Sequence, residues 1–187
     1  MRIIGMARSL EKYRKIFGEE LEFPNVNIIH QDVNDPIVYD GIIDYIFHTA
    51  GPAAPVDFKN IPAETLWSHV NGTHNILECA RTHGTQKVFY VSTVEIYGEW
   101  QNEHNIFEND MGVLQHLNFR ACYPEAKRLC ETMFAIYEKE YGVNYCGVRF
   151  SHTLGPGILL DDGRAFAEFL DLSLIHISEP TRRVVIS

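Results

Sequence analysis

The sequence reads as one α/β domain built on a doubly wound parallel sheet, and three observations carry that reading. Short apolar runs of strand length alternate along the chain with longer stretches of helical length. The best of those runs are apolar at nearly every position, as parallel strands buried on both faces must be. The chain has 187 residues, 45% of them hydrophobic and 22% charged, which is enough apolar mass for one core. No repeat, low-complexity tract or linker divides it.

In order, RIIGM opens the chain as a strand and a charged helix follows near 9–18. VNIIH and DYIFHTA are the next two strands, the second apolar on both faces except for its polar ends. A long amphipathic helix is expected near 62–83, then the strand KVFYVST, then a second long helix near 124–141, then the strand NYCGVRF. Pro124 fits the first turn of its helix, where a missing N–H would be unpaired anyway.

Bulk charge narrows the partners. Sixteen Lys plus Arg against 25 Asp plus Glu give a formal charge of -9, and nucleic-acid binding needs a concentrated basic face. A small-molecule partner fits better than nucleic acid. No long apolar run suggests a membrane span, and no signal sequence precedes Cys79, Cys122, Cys130 and Cys146, which lack CxxC spacing. Reduced thiols in a cytoplasmic enzyme are expected. The histidine pairs 69 and 74, and 104 and 116, lack the i, i+4 spacing and acidic company of a zinc helix, so no metal is expected.

Both ends are unusual. A dinucleotide-binding α/β domain follows its first strand with a glycine-rich turn, and none exists here. RIIGMARS reads instead as a second strand, so the central strand slot is expected to be vacant and Met1 is expected to be an internal methionine of a longer protein. At the other end, LSLIHISEPTR at 172–182 resembles a sequencing adapter read through as protein. The expected division is therefore a partial dinucleotide-binding domain over 1–171 and a non-native tail over 172–187.

Chemistry concentrates in two stretches. ACYPEAKRLCE places Tyr123 one helical turn before Lys127, so both side chains face the same way. A free phenol titrates near pH 10, and a neighbouring ammonium favours its phenolate, so the pair can form a base near neutral pH. The second stretch is YVSTVEIYGE, where an apolar strand ends in Ser92, Thr93 and Glu95. Parallel sheets present functional groups at the carboxyl ends of their strands. Glu99 to Asp110 reads as a solvated loop at the mouth of that cleft.

Together NGTHNILECAR, KVFYVSTVEIYGE, ACYPEAKRLCETMFAIYEKEYG and VRFSHTLGPG resemble the extended short-chain dehydrogenase/reductase family of nucleotide-sugar enzymes over about residues 1–171. The likeness is greatest to UDP-glucuronate decarboxylases, then to dTDP-glucose 4,6-dehydratases and UDP-sugar 4-epimerases. It implies a Rossmann-like fold and NAD as cofactor. By resemblance, Tyr123 takes a proton from the sugar 4-hydroxyl while C4 loses hydride, Lys127 holds the nicotinamide ribose, and Thr93 supplies a catalytic hydroxyl supported by Ser92. The 4-keto sugar so formed can lose carbon dioxide, eliminate water or epimerise.

The choice among these turns on positions 94 and 95. By resemblance, dehydratases carry an aspartate and a glutamate there, and decarboxylases a serine and a glutamate. This chain has Val94 and Glu95. Valine moves no proton, so water loss is without its usual acid, whereas decarboxylation of a β-keto acid needs none. The resemblance further assigns Asp32 and Val33 to adenine, Ala50 and Gly51 to the ribose and phosphates, Asn71 to the site's helix, and Arg149 and His152 to the substrate side. Ala7 stands where NAD enzymes usually carry an acid, and Arg8 follows it, so NADP is an alternative. The two long helices imply a homodimer joined through a four-helix interface.

Overall fold

The computed structural model describes residues 1–18, 23–101, 103–151 and 153, with the isolated residues 169 and 172. Among the described residues, five strands and four α-helices follow one another as β1 (Ile3–Ala7), α1 (Leu10–Phe17), β2 (Val26–His30), β3 (Tyr45–His48), α2 (Pro55–Asn60), α3 (Pro62–His83), β4 (Lys87–Thr93), α4 (Cys122–Tyr141) and β5 (Tyr145–Phe150). All strand pairings between them are parallel, as the alternation of apolar runs and helices requires.

The strands form two sheets. β1 pairs with β2, with Ile3 opposite Val26 and Ala7 opposite His30. The second sheet has the order β3-β4-β5, with Phe47 opposite Phe89 and Phe89 opposite Cys146. Among the described residues, β1 and β3 each keep an edge that pairs with no strand.

Alternation along β4 sends Val88, Tyr90 and Ser92 toward α3 and α4. There Ile76, Leu77 and Ala80 of α3 meet Cys130 and Phe134 of α4 and Val143 beyond it, and this cluster is the main core. Burying a side chain such as Leu77 or Phe134 contributes about 1.5–3 kcal/mol each. The opposite face is also apolar but uncovered: Phe47 is 71% exposed and stacks on Phe89 with ring centroids 4.8 Å apart, and Tyr45, Val148 and Phe150 are exposed beside them.

The first sheet joins this unit through the segment after β2. Val33 packs against Gly72 of α3, where an added Cβ would lie 2.9 Å from a Val33 methyl, so glycine permits the close approach. The Val33 carbonyl accepts a bond from Asn75 Nδ2 at 2.8 Å, and Arg8 Nη1 donates to Glu64 Oε1 at 2.7 Å.

Two details go beyond the sequence reading. Helix α4 begins at Cys122, one residue ahead of Tyr123, which puts Pro124 at its third position and still within the first turn. The six-residue α2 starts at Pro55 and carries Phe58, whose ring is 1% exposed.

Candidate active site

Tyr123 and Lys127 lie on the first two turns of α4 and turn inward together. Lys127 Nζ is 5.8 Å from the centroid of the Tyr123 ring, and both residues are buried. The ammonium donates to the carbonyl of Val91 in β4 at 2.7 Å and sits 4.8 Å from the Tyr90 ring centroid. Burial lowers the Lys127 ammonium to about 8, a shift opposed by the charges of Cys130 and Glu131. A cation held this close to neutrality is charged at neutral pH and still able to give up its proton.

Rings fix the tyrosine. Phe58 stacks on it with centroids 4.5 Å apart and planes 18° from parallel, and His69 of α3 meets it edge-on at 5.3 Å. His69 Nε2 donates to the Pro52 carbonyl at 2.9 Å. Burial, and then the charge of Lys127, lowers His69 to about 4, so this imidazole is neutral at neutral pH. The same ring fills the space where a Cβ on Gly51 would lie, and Gly51 has φ +124°, a conformation that favours glycine. The loop Ala50–Pro52 is thus drawn tight against the wall behind Tyr123.

A buried polar chain runs beneath. Cys130 Sγ donates to the His69 carbonyl at 3.3 Å, Thr73 Oγ1 donates to Cys130 Sγ at 3.1 Å, and His48 Nε2 donates to Thr73 Oγ1 at 2.9 Å. Burial first, then Lys127 and His69, lowers His48 to about 3.

At the carboxyl end of β4 the two hydroxyls diverge. Thr93 Oγ1 accepts the Glu95 N–H at 3.2 Å, capping a short 3-10 turn over Val94–Tyr97 and leaving its own proton to donate elsewhere. Ser92 Oγ donates to Glu131 Oε1 at 2.5 Å on the α4 side. Glu95 Oε2 receives Arg120 Nη2 at 2.9 Å. Arg149 holds Glu131 with two bonds, of 3.1 and 2.7 Å, and reaches Tyr97 Oη and the Glu108 carbonyl. Those bonds to Glu131, and then to Tyr97, raise Arg149 well above its usual value.

The residues expected at the cofactor are more spread out. Asp32 Oδ1 accepts Asn34 N at 2.9 Å, and Arg8 stands 3.7 Å from Asp32 Oδ2 while bonded to Glu64. Asn71 lies on the exposed side of α3, whereas His69, Gly72 and Thr73 are buried. His152 lies outside the described residues. Tyr123, Lys127, Thr93 and Glu95 therefore gather at one end of β4, with Ala50 and Gly51 linked to them through His69. Phe58, Arg120 and His69 in its contact with Tyr123 were not anticipated; for His69 the available signal was its place on the apolar side of α3.

The family model of the NAD dependent epimerase/dehydratase family matches residues 1–178. The chain belongs to that family. UDP-glucuronic acid decarboxylase 3 of Arabidopsis thaliana is 32% identical over 166 residues, covering 89% of this chain and 46% of the relative. UDP-glucuronic acid decarboxylase 1 of Xenopus tropicalis is 35% identical over 166 residues, covering 89% of this chain and 37% of the relative. This family member therefore spans less than half the length of these two curated relatives. Among solved structures, a UDP-glucuronic acid 4-epimerase from Bacillus cereus in complex with NAD superposes with a TM-score of 0.74 at 18% identity, over 94% of this chain and 55% of that one. That likeness establishes the Rossmann-like fold. No helix among the described residues is long and apolar enough to cross a membrane.

Proposed function

We propose that this chain carries the catalytic half of an NAD-dependent nucleotide-sugar enzyme that works through a transient 4-keto sugar, with UDP-glucuronate decarboxylation as its reaction. The observation that carries the reading is the buried Lys127 ammonium 5.8 Å from the Tyr123 ring, beside a strand end bearing Thr93 and Glu95. NAD, when bound, supplies an acceptor for hydride from C4 of the sugar and a source for its return.

The chain's own groups do the rest. A cation near the phenol stabilises its anionic form, so Tyr123 takes the proton of the 4-hydroxyl. Thr93 donates its unused proton to the same oxygen, and Ser92 supports the strand end through Glu131. Glu95 faces the sugar beyond C4, and Val94 offers no acid for expelling water, which favours loss of carbon dioxide over dehydration. Ala50 and Gly51, the latter held by the close approach of His69, are proposed to lie against the cofactor's ribose and phosphates, and Lys127 is proposed to hold the nicotinamide ribose. Asp32 and Val33 take the adenine end. NAD is the cofactor in the family's description and the one bound in the Bacillus cereus structure, and it is proposed here ahead of NADP. Asn71, Arg149 and His152 are proposed as further cofactor and substrate contacts.

The protein is proposed to be cytoplasmic, with residues 1–171 as a partial dinucleotide-binding domain and 172–187 as a non-native tail. Exposed Leu129 and Ile136 on α4 and Trp67 on α3 support a homodimer through these helices. The reading is tested by Tyr123→Phe in the full-length protein. Turnover of UDP-glucuronate, followed by carbon dioxide release, should fall about 10²- to 10⁴-fold with the circular dichroism spectrum retained. Unchanged turnover overturns the assignment of Tyr123 as the base, and a wild-type protein that binds NAD but releases no carbon dioxide from UDP-glucuronate is a dinucleotide-binding protein without this chemistry.

A further inference from the structure

Four cationic side chains crowd the carboxyl end of β4, and three are committed to protein acceptors. Lys127 is buried on the Val91 carbonyl. Arg128 donates to the carbonyls of Ile96 and Gly112. Arg149 is bonded to both oxygens of Glu131, to Tyr97 and to the Glu108 carbonyl.

Arg120 differs. Its side chain is 43% exposed, and among the described residues its guanidinium makes one hydrogen bond, from Nη2 to Glu95. A guanidinium has five N–H donors in a planar fork, so Nε and Nη1 remain available to a carboxylate. Its position is nonetheless fixed. The Asn118 side chain accepts the Arg120 backbone N–H at 2.9 Å and starts the 3-10 turn Phe119–Ala121 that leads into α4. The guanidinium carbon lies 4.5 Å from the Phe58 ring centroid, and that ring stacks on Tyr123.

We infer that Arg120 is a specificity-determining residue that receives the carboxylate of an acidic sugar beside Tyr123. The inference rests on the proposed reading of Tyr123 as the base acting at C4. The alternative anion, the nucleotide diphosphate, fits less well. Arg120 stands among Glu95, Phe58 and Tyr123, where the sugar ring would react. An exposed pair such as Arg120–Glu95 is weakly held, so a second carboxylate can share the fork at small cost.

The experiment uses the full-length protein loaded with NAD and measures affinity for UDP-glucuronate, UDP-glucose and UDP. Arg120→Gln should weaken UDP-glucuronate about 10- to 100-fold, the range expected for a charge-assisted hydrogen-bonded contact. UDP-glucose and UDP should change less than about threefold, and Arg120→Lys should restore part of the loss. KM for the acidic sugar should rise more than kcat falls, because the contact exists before and during reaction. Equal weakening of all three ligands would assign Arg120 to the diphosphate or to holding Glu95, and overturns the inference. Unaltered UDP-glucuronate affinity overturns it too, with Tyr123 untouched. A wild-type protein that binds none of the three sinks both.

Discussion

Among the described residues between Ile3 and His30 no side chain is buried in the way Leu77, Val88, Cys130 and Phe134 are, although both sheets are parallel. The β3-β4-β5 sheet has two long helices packed on one face, and it holds Tyr123 and Lys127. The β1-β2 pair has only short α1 beside it in sequence, and it touches the rest through Arg8, Val33 and Asn34. Strand composition therefore does not set local stability here. What sets it is the area of helix laid over the strand, and the chemistry sits where that area is greatest.

Matched truncations expose the difference most strongly. Phe134→Ala should cost about 3–5 kcal/mol in urea unfolding, whereas Ile28→Ala in β2 should cost no more than about 1–2 kcal/mol. Equal losses would mean that the two sheets share one core.

Proton linkage comes next in size, and its groups all lie in the second unit. His69 near 4 and His48 near 3 compare with about 6.5 for an unfolded histidine. Below pH 6.5 the unfolded chain binds protons that the folded one refuses, so stability is lost progressively as pH falls from 6.5 toward 4 and below. Lys127 near 8 compares with 10.5 unfolded. Its buried charge opposes folding below pH 8, and stability should rise between pH 8 and 10.5, by about 3 kcal/mol. Between pH 7.5 and 9.5 the wild type should gain stability relative to Lys127→Met, and the buried thiols Cys79, Cys122 and Cys130, raised by burial, oppose the gain in both proteins.

The smallest effect falls on the seam. Asn75→Ala removes the bond to the Val33 carbonyl and should cost about 1 kcal/mol. Hydrogen exchange should then quicken in β1 and β2 while the β4 amides stay protected. Faster exchange in β4 would show that the seam supports the whole molecule.

Much of this was legible in the sequence, for a reason. VNIIH and KVFYVST are short runs rich in β-branched and aromatic residues, and they became β2 and β4 residue for residue. The 62–83 helix declared itself through its sustained length and amphipathic pattern. Tyr123 and Lys127 were readable because four residues on one helix fix a shared direction. Helix α2 was not, since six residues cannot display a helical period. Nor were the contacts of Phe58, His69 and Arg120 with the site, which bring together segments tens of residues apart. Asn71 shows the other limit: a motif locates a residue along a helix, while the direction it faces depends on which side the sheet covers.

The naked side of the second sheet has a practical corollary. Phe47, Tyr45, Val148 and Phe150 present an adhesive hydrocarbon surface next to a strand edge with unspent amides. Colloidal behaviour should follow from that surface: at high concentration, copies of this polypeptide are expected to clump through it, and dilution or a mild detergent should keep them apart.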